Sequence, residues 1–181
     1  MSSTNNKPAA HEDESISELI ESIRRSFPAM RYTGKVTPHD GEWLPELTED
    51  TAILEDDKLL YDGLNGRRWT EISDQLLEAV PDGLPLLTDE AFVAFLAAWL
   101  IRSLENIHGE NEIRHFVVYT FSPRPDMVPD MTWFIIKRIR ALNREQRSTV
   151  RSILAKFAQN EHSTFIRAHA AKAIELVDNV S

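Results

Sequence analysis

An unbroken apolar run of eleven residues, Ala91 to Ile101 (AFVAFLAAWLI), constrains the fold of this chain more than any other feature. A membrane-spanning helix needs roughly 20 apolar residues, so the run reads as a core helix and not as a bilayer span. Thr88 stands before it as an N-cap hydroxyl. Asp89 and Glu90 follow where the helix dipole favours negative charge. The helix predicted over Asp89 to Ile107 carries Phe92, Val93, Phe95, Leu96, Trp99, Leu100, Ile101 and Leu104, and Gly109 ends it. Apolar on nearly every face, it belongs at the centre of the domain, with the other elements packed around it.

Those other elements also read as helical. Met1 to Glu14 is polar and reads as a disordered tail, leaving 15–181 as a single helical domain. Ser15-Ile16-Ser17-Glu18 has capping-box spacing ahead of Ile16, Leu19, Ile20, Ile23 and Phe27, and Pro28 stops that helix. Ala29 to Gly66 reads as a long, partly irregular connection anchored by Trp43, Leu44, Leu47, Leu59, Leu60 and Tyr61. Asp62-Gly63 and Asn65-Gly66 suggest a small hairpin near 60–69. A short helix follows over Trp69 to Leu77. Glu110 to Phe121 fits either a helix or, through FVVYTF, a strand, and the helical neighbours favour helix. After a Pro-rich loop (Ser122 to Pro129, with Met127 and Met131 at its end), helices are predicted at Asp130 to Leu142, Arg144 to Gln159 and Ser163 to Asp178. The last two suggest an αα-hairpin. The expected fold is a compact all-α domain of about six helices, the size at which one core suffices.

Composition removes several functions. With no cysteine among 181 residues, disulfides, thiolate nucleophiles and Cys-ligated metals are excluded, and a reducing cytoplasm is the natural setting. Net charge is −9 but uneven. Met1 to Leu60 holds thirteen acids and six bases (6 − 13 = −7), whereas Lys137 to Lys156 holds seven bases and one acid (7 − 1 = +6). An acidic whole repels phosphates at long range, which argues against nucleic-acid and anionic-membrane partners.

Three phrases resemble a family of uncharacterised bacterial proteins, a domain of unknown function. They are Asn65-Gly66-Arg67-Arg68-Trp69-Thr70, Leu87-Thr88-Asp89-Glu90-Ala91-Phe92, and Leu142-Asn143-Arg144-Glu145-Gln146 with Val150-Arg151. Together they reach from Asn65 to Phe157. The resemblance implies a helical bacterial domain and brings no activity with it.

No G-x-S-x-G elbow, Gly-rich phosphate loop, H-E-x-x-H or EF-hand spacing occurs, and no cofactor is expected. Glu105-x-x-His108 and Glu112-x-x-His115 have the spacing that di-iron sites draw from two helices. Gly109 separates the units, however. His115 also falls about 160° from Ile113 at roughly 100° per residue, away from the apolar face, so a metal is not expected. His162 and His169 share a face of the last helix, and His169 lies in its apolar stripe as a core histidine expected to bond a backbone carbonyl. The basic stretch is the remaining signal: Arg144, Arg147 and Arg151 form one stripe, with Lys137 and Arg140 just before it. Either the stripe is a solvated face partly neutralised by the protein's own acidic segment Glu42 to Asp57, or it meets an external anionic partner, protein or RNA. Arg67 and Arg68, beside the Asn-Gly turn, form a second basic candidate. The expected role is a non-enzymatic interaction domain, an adaptor or an immunity- or antitoxin-like neutraliser. The alternative is an enzyme whose carboxylates and histidines meet only in the fold.

Overall fold

A computed structural model describes residues 9–40, 51–105, 110–122, 129–160 and 163–180. Among them the secondary structure is entirely helical: α1 (Ala9–Ser26), α2 (Thr51–Leu64), α3 (Asp74–Ala79), α4 (Asp89–Leu104), α5 (Glu112–Phe121), α6 (Pro129–Ala141), α7 (Arg144–Asn160) and α8 (Thr164–Asn179). Short 3-10 turns stand at Trp69–Glu71 and Leu84–Leu86. The ambiguous 110–121 segment is helix α5.

Helix α4 is the hub, packed against α1, α3, α5, α6, α7 and both 3-10 turns. Phe92, Phe95, Leu96, Ala97, Trp99 and Leu100 are all solvent-free. Thr88 does more than cap it. Its hydroxyl accepts from Ala91 N at 3.2 Å and donates to the Lys35 carbonyl at 2.6 Å, tying the start of α4 to the distant 29–40 segment. Helices α7 and α8 form the expected αα-hairpin, and α8 also packs on α5. The α7 start carries a reciprocal cap: Gln146 N donates to Asn143 Oδ1 and Asn143 N donates to Gln146 Oε1, both at 2.9 Å.

Three sequence expectations are corrected. Helix α1 begins at Ala9, inside the 1–14 segment read as a disordered tail, so Ser15 sits within a helix and caps nothing. The connection from Ala29 to Gly66 contains the 14-residue helix α2, and there is no hairpin near 60–69. Gly66 adopts φ = 69° just beyond the end of α2, where Arg67 N donates to the Leu64 carbonyl. An Asn-Gly pair closes a hairpin or a helix by the same left-handed geometry, and here it closes the helix. Finally, the described residues hold eight α-helices where about six were expected. The predicted Trp69 to Leu77 helix is divided into a 3-10 turn and α3, whose N-cap Ser73 accepts from Leu76 N.

The irregular 27–40 segment is pinned and not loose. Trp69, buried, donates its indole N–H to the Phe27 carbonyl at 2.9 Å, closing the end of α1. Tyr32 N donates to the Arg67 carbonyl, and the Tyr32 ring meets Phe95 edge-on at 5.4 Å. Asp40 accepts from Val36 N and Thr37 N at 2.5 and 2.7 Å, fixing the turn that presents Val36 to the core.

Candidate functional site

Two arginines that the sequence reading left unassigned are deeply buried among the described residues. Arg138 and Arg114 are each 1% exposed. Arg138 projects from α6 into the N-terminal approach to α4. Its guanidinium donates to the carbonyls of Leu84, Pro85 and Leu87 at 2.5, 3.1 and 2.5 Å. It lies 4.7 Å from the Phe92 ring centre and 4.2 Å from that of Phe134, with Asp89 at 3.8 Å from Nε. Burial lowers its pKa to about 10, against the opposing pull of Asp89, so it remains a cation at neutral pH. Arg114, on α5, takes the opposite end of α4. It donates from Nε to the Ser103 carbonyl at 3.2 Å and from Nη2 to that of Glu105 at 3.4 Å, over the Phe157 ring. A cation on the last carbonyls of a helix complements its dipole. Both arginines hold the core together. The sequence signal was their place in apolar stripes: Arg138 three residues after Ile135 and four before Leu142, and Arg114 four before Val118 and seven before Phe121.

The basic stripe divides into committed and uncommitted members. Arg151 is paired with Asp178 of α8 at 2.7 Å, and Arg147 donates to the Leu142 carbonyl at 2.8 Å. Lys137 pairs with Asp89. Arg140 and Arg144 are exposed, and neither has an acidic partner among the described residues. Internal neutralisation by the 42–57 acids can be followed only at Glu55, Asp56 and Asp57, because 41–50 lies outside the described residues. None of those three pairs with the stripe. Asp57 is turned into the protein, 1% exposed, with Oδ2 lacking a hydrogen bond. Burial raises its pKa, with Asp40 and Asp56 adding to the rise and His39 opposing it. Helices α1 and α7 border a cleft of about 540 Å³ lined by Ser22, Arg25, Ser26, Glu145, Ser148 and Thr149. Thr149 shares hydrogen bonds there with Ser22 at 2.9 Å and Ser26 at 2.7 Å. Arg67 and Arg68 are exposed, and their backbones carry the contacts: the Arg67 carbonyl accepts from Tyr32 N, and Arg68 N donates to Glu71 at 2.8 Å.

The metal-spaced residues meet only in part. Glu105 and Glu112 line a cleft of about 390 Å³ with Glu78, Glu110 and Arg102. Arg102 pairs with both Glu78 and Glu105. His115 is half-buried on α5, and His108 lies outside the described residues. No three His, Asp or Glu side chains converge to hold a metal among the described residues.

His169 is a core histidine, 3% exposed, but a side-chain hydroxyl stands where a backbone carbonyl was expected. Its Nδ1 and Ser122 Oγ share a hydrogen bond of 2.9 Å. That separation suits a nucleophile and its base. Ser122 is fully buried, however, and Tyr119 and Phe165 flank the imidazole at 5.4 and 4.5 Å, so the pair sits inside the α5–α8 packing. His162 and Met127 lie outside the described residues, and Met131, read as part of the loop, falls in the first turn of α6, where its side chain is not described.

No protein-family model matches this chain, and no match was found among curated proteins or solved structures. The resemblance carried by the three phrases between Asn65 and Phe157 therefore rests on those phrases alone. No helix among the described residues is long and apolar enough to cross a membrane.

Proposed function

We propose that this chain is a non-enzymatic interaction domain of a bacterial cytoplasm that binds an acidic segment of a protein partner along the α6–α7 edge. The observation that carries the reading is that Arg140 and Arg144 have no acidic partner among the described residues of a protein of net charge −9. A protein with such an acid excess has ample carboxylates to neutralise a basic edge internally, yet these two arginines stand exposed. Arginine is suited to this role because its planar fork binds carboxylates in bidentate fashion. Phosphate polyanions are the poorer partner, since the negative whole repels them. An adaptor or an immunity- or antitoxin-like neutraliser would each use such an edge.

The test is charge reversal at the two uncommitted positions, Arg140→Glu with Arg144→Glu. Binding of an acidic peptide should be lost, while the melting temperature should hold, because exposed substitutions usually cost under about 0.5 kcal/mol. Glu at 144 also occupies the first turn of α7, where negative charge is favoured. In the parent protein the affinity should fall with added salt as exposed charges are screened over about 8 Å. A double variant that binds as well as the parent contradicts the reading. One that melts several degrees lower shows instead that the arginines serve the fold.

A further inference from the structure

Helix α6 has two unlike faces. Ile135, Arg138 and Ile139 are buried, whereas Trp133, Lys137 and Arg140 are exposed. The exposed three stand at i, i+4 and i+7, which places them within about 60° of arc and roughly 10 Å of helix length. Trp133 is 61% exposed, and the Lys137 ammonium lies 5.8 Å from its ring centre. A single exposed apolar side chain is ordinary, and exposure alone argues nothing. The setting of this one is different. The stripe runs from Trp133 through Lys137 and Arg140 towards the turn that leads into Arg144, so the indole continues the uncommitted basic edge. Tryptophan and arginine are the residue types in which binding energy concentrates at protein interfaces. The held ammonium restricts the indole's face in advance, which lowers the ordering cost of docking onto it.

Resting on the reading that the α6–α7 edge binds an acidic segment, we infer that Trp133 is the apolar anchor of that interface. Charge complementarity then specifies the partner: a protein segment with aliphatic side chains set among its carboxylates. An aliphatic residue covers the indole, and the carboxylates face Arg140 and Arg144. Lys137, already paired with Asp89, borders the contact and holds the ring. A segment that is acidic but lacks the aliphatic residue satisfies the arginines and leaves the indole wet.

The experiment uses the full chain and two short synthetic peptides, one of glutamates interspersed with leucines and one in which serines replace the leucines. The leucine peptide should bind about ten-fold more tightly, the difference a single interface anchor commonly makes. It should also blue-shift the tryptophan emission in the parent but not in Trp133→Phe. Trp133→Ala should reduce the leucine peptide to the affinity of the serine peptide with the melting temperature unchanged. Equal affinities for the two peptides overturn the anchor. So does a Trp133→Ala variant that binds the leucine peptide as the parent does. If charge reversal at 140 and 144 still weakens both peptides in that case, the basic edge stands and only the anchor fails. If neither peptide binds, both fail. Concentration-dependent dimerisation abolished by Trp133→Ala identifies a second copy of the chain as the occupant and overturns the acidic partner.

Discussion

Replacing Arg138 by Met keeps an unbranched apolar stem between Phe92 and Phe134 and removes the guanidinium. The carbonyls of Pro85 and Leu87 then lose their donor, whereas that of Leu84 keeps the Leu87 N–H at 3.4 Å. Leaving a buried polar group unsatisfied costs about 1 to 3 kcal/mol. The Pro85 bond is only partly buried, and the variant no longer desolvates a cation. Asp89 keeps its pairing with Lys137. Taking the low end for each of the two carbonyls left without a donor, the net loss is about 2 kcal/mol. At a urea slope of about 2 kcal/mol/M, the unfolding midpoint falls by about 1 M. Arg138→Lys should fall between, because one ammonium cannot serve three divergent carbonyls. The control is Arg151→Met, which breaks an exposed pair with Asp178 and should cost under about 1 kcal/mol. Chemical denaturation followed by circular dichroism reads all three. If Arg138→Met loses less than the Arg151 control, or Lys substitutes for Arg without loss, Arg138 does not clamp the approach to α4.

Two further outcomes follow from other sites. Gly66→Ala should cost about 1 kcal/mol from the left-handed backbone alone, since nothing lies within 4 Å of the added methyl, and Gly66→Asn should cost less. Matched denaturation midpoints for Gly, Asn and Ala at 66 would show that the turn tolerates another conformation. For Asp57 the raised folded-state pKa means that the protonated carboxyl favours the folded state, and that contribution is lost as pH rises through the folded value. Asp57→Asn should therefore raise the urea midpoint at pH 7, with the gain shrinking as pH falls towards the ordinary carboxyl value of 3.8. A gain equal at both ends of that range, or a loss at pH 7, contradicts the assignment.

The parts of the fold legible in the sequence are those decided locally. Thr88 caps α4 because a cap needs only a side chain and a nearby N–H. The all-round apolar pattern placed α4 at the centre for the same reason. The Asn65–Gly66 pair misled because one backbone conformation serves two kinds of chain reversal, and only the distant packing of α2 decides between them. The arginines misled more deeply. Counting seven bases between Lys137 and Lys156 treats every charge as surface, yet Arg138 is spent on carbonyls brought to it from some fifty residues earlier. Of the four arginines read as a binding stripe, Arg147 and Arg151 are occupied within the protein, whereas Arg140 and Arg144 have no acidic partner among the described residues. The stripe was visible in sequence because helical spacing is local. Its division was not, because Asp178 lies on the next helix.

The most direct measurement for the proposed function is site-specific photo-cross-linking in cells. A photoreactive residue is placed at position 144, with a control at position 110 in the acidic cleft between α4 and α5. The account predicts an adduct from 144 whose captured peptide is rich in Asp and Glu, and no matching adduct from 110. A neutral or basic peptide captured at 144, or capture from 110 and not from 144, would contradict the claim that the α6–α7 edge is where this protein meets its partner.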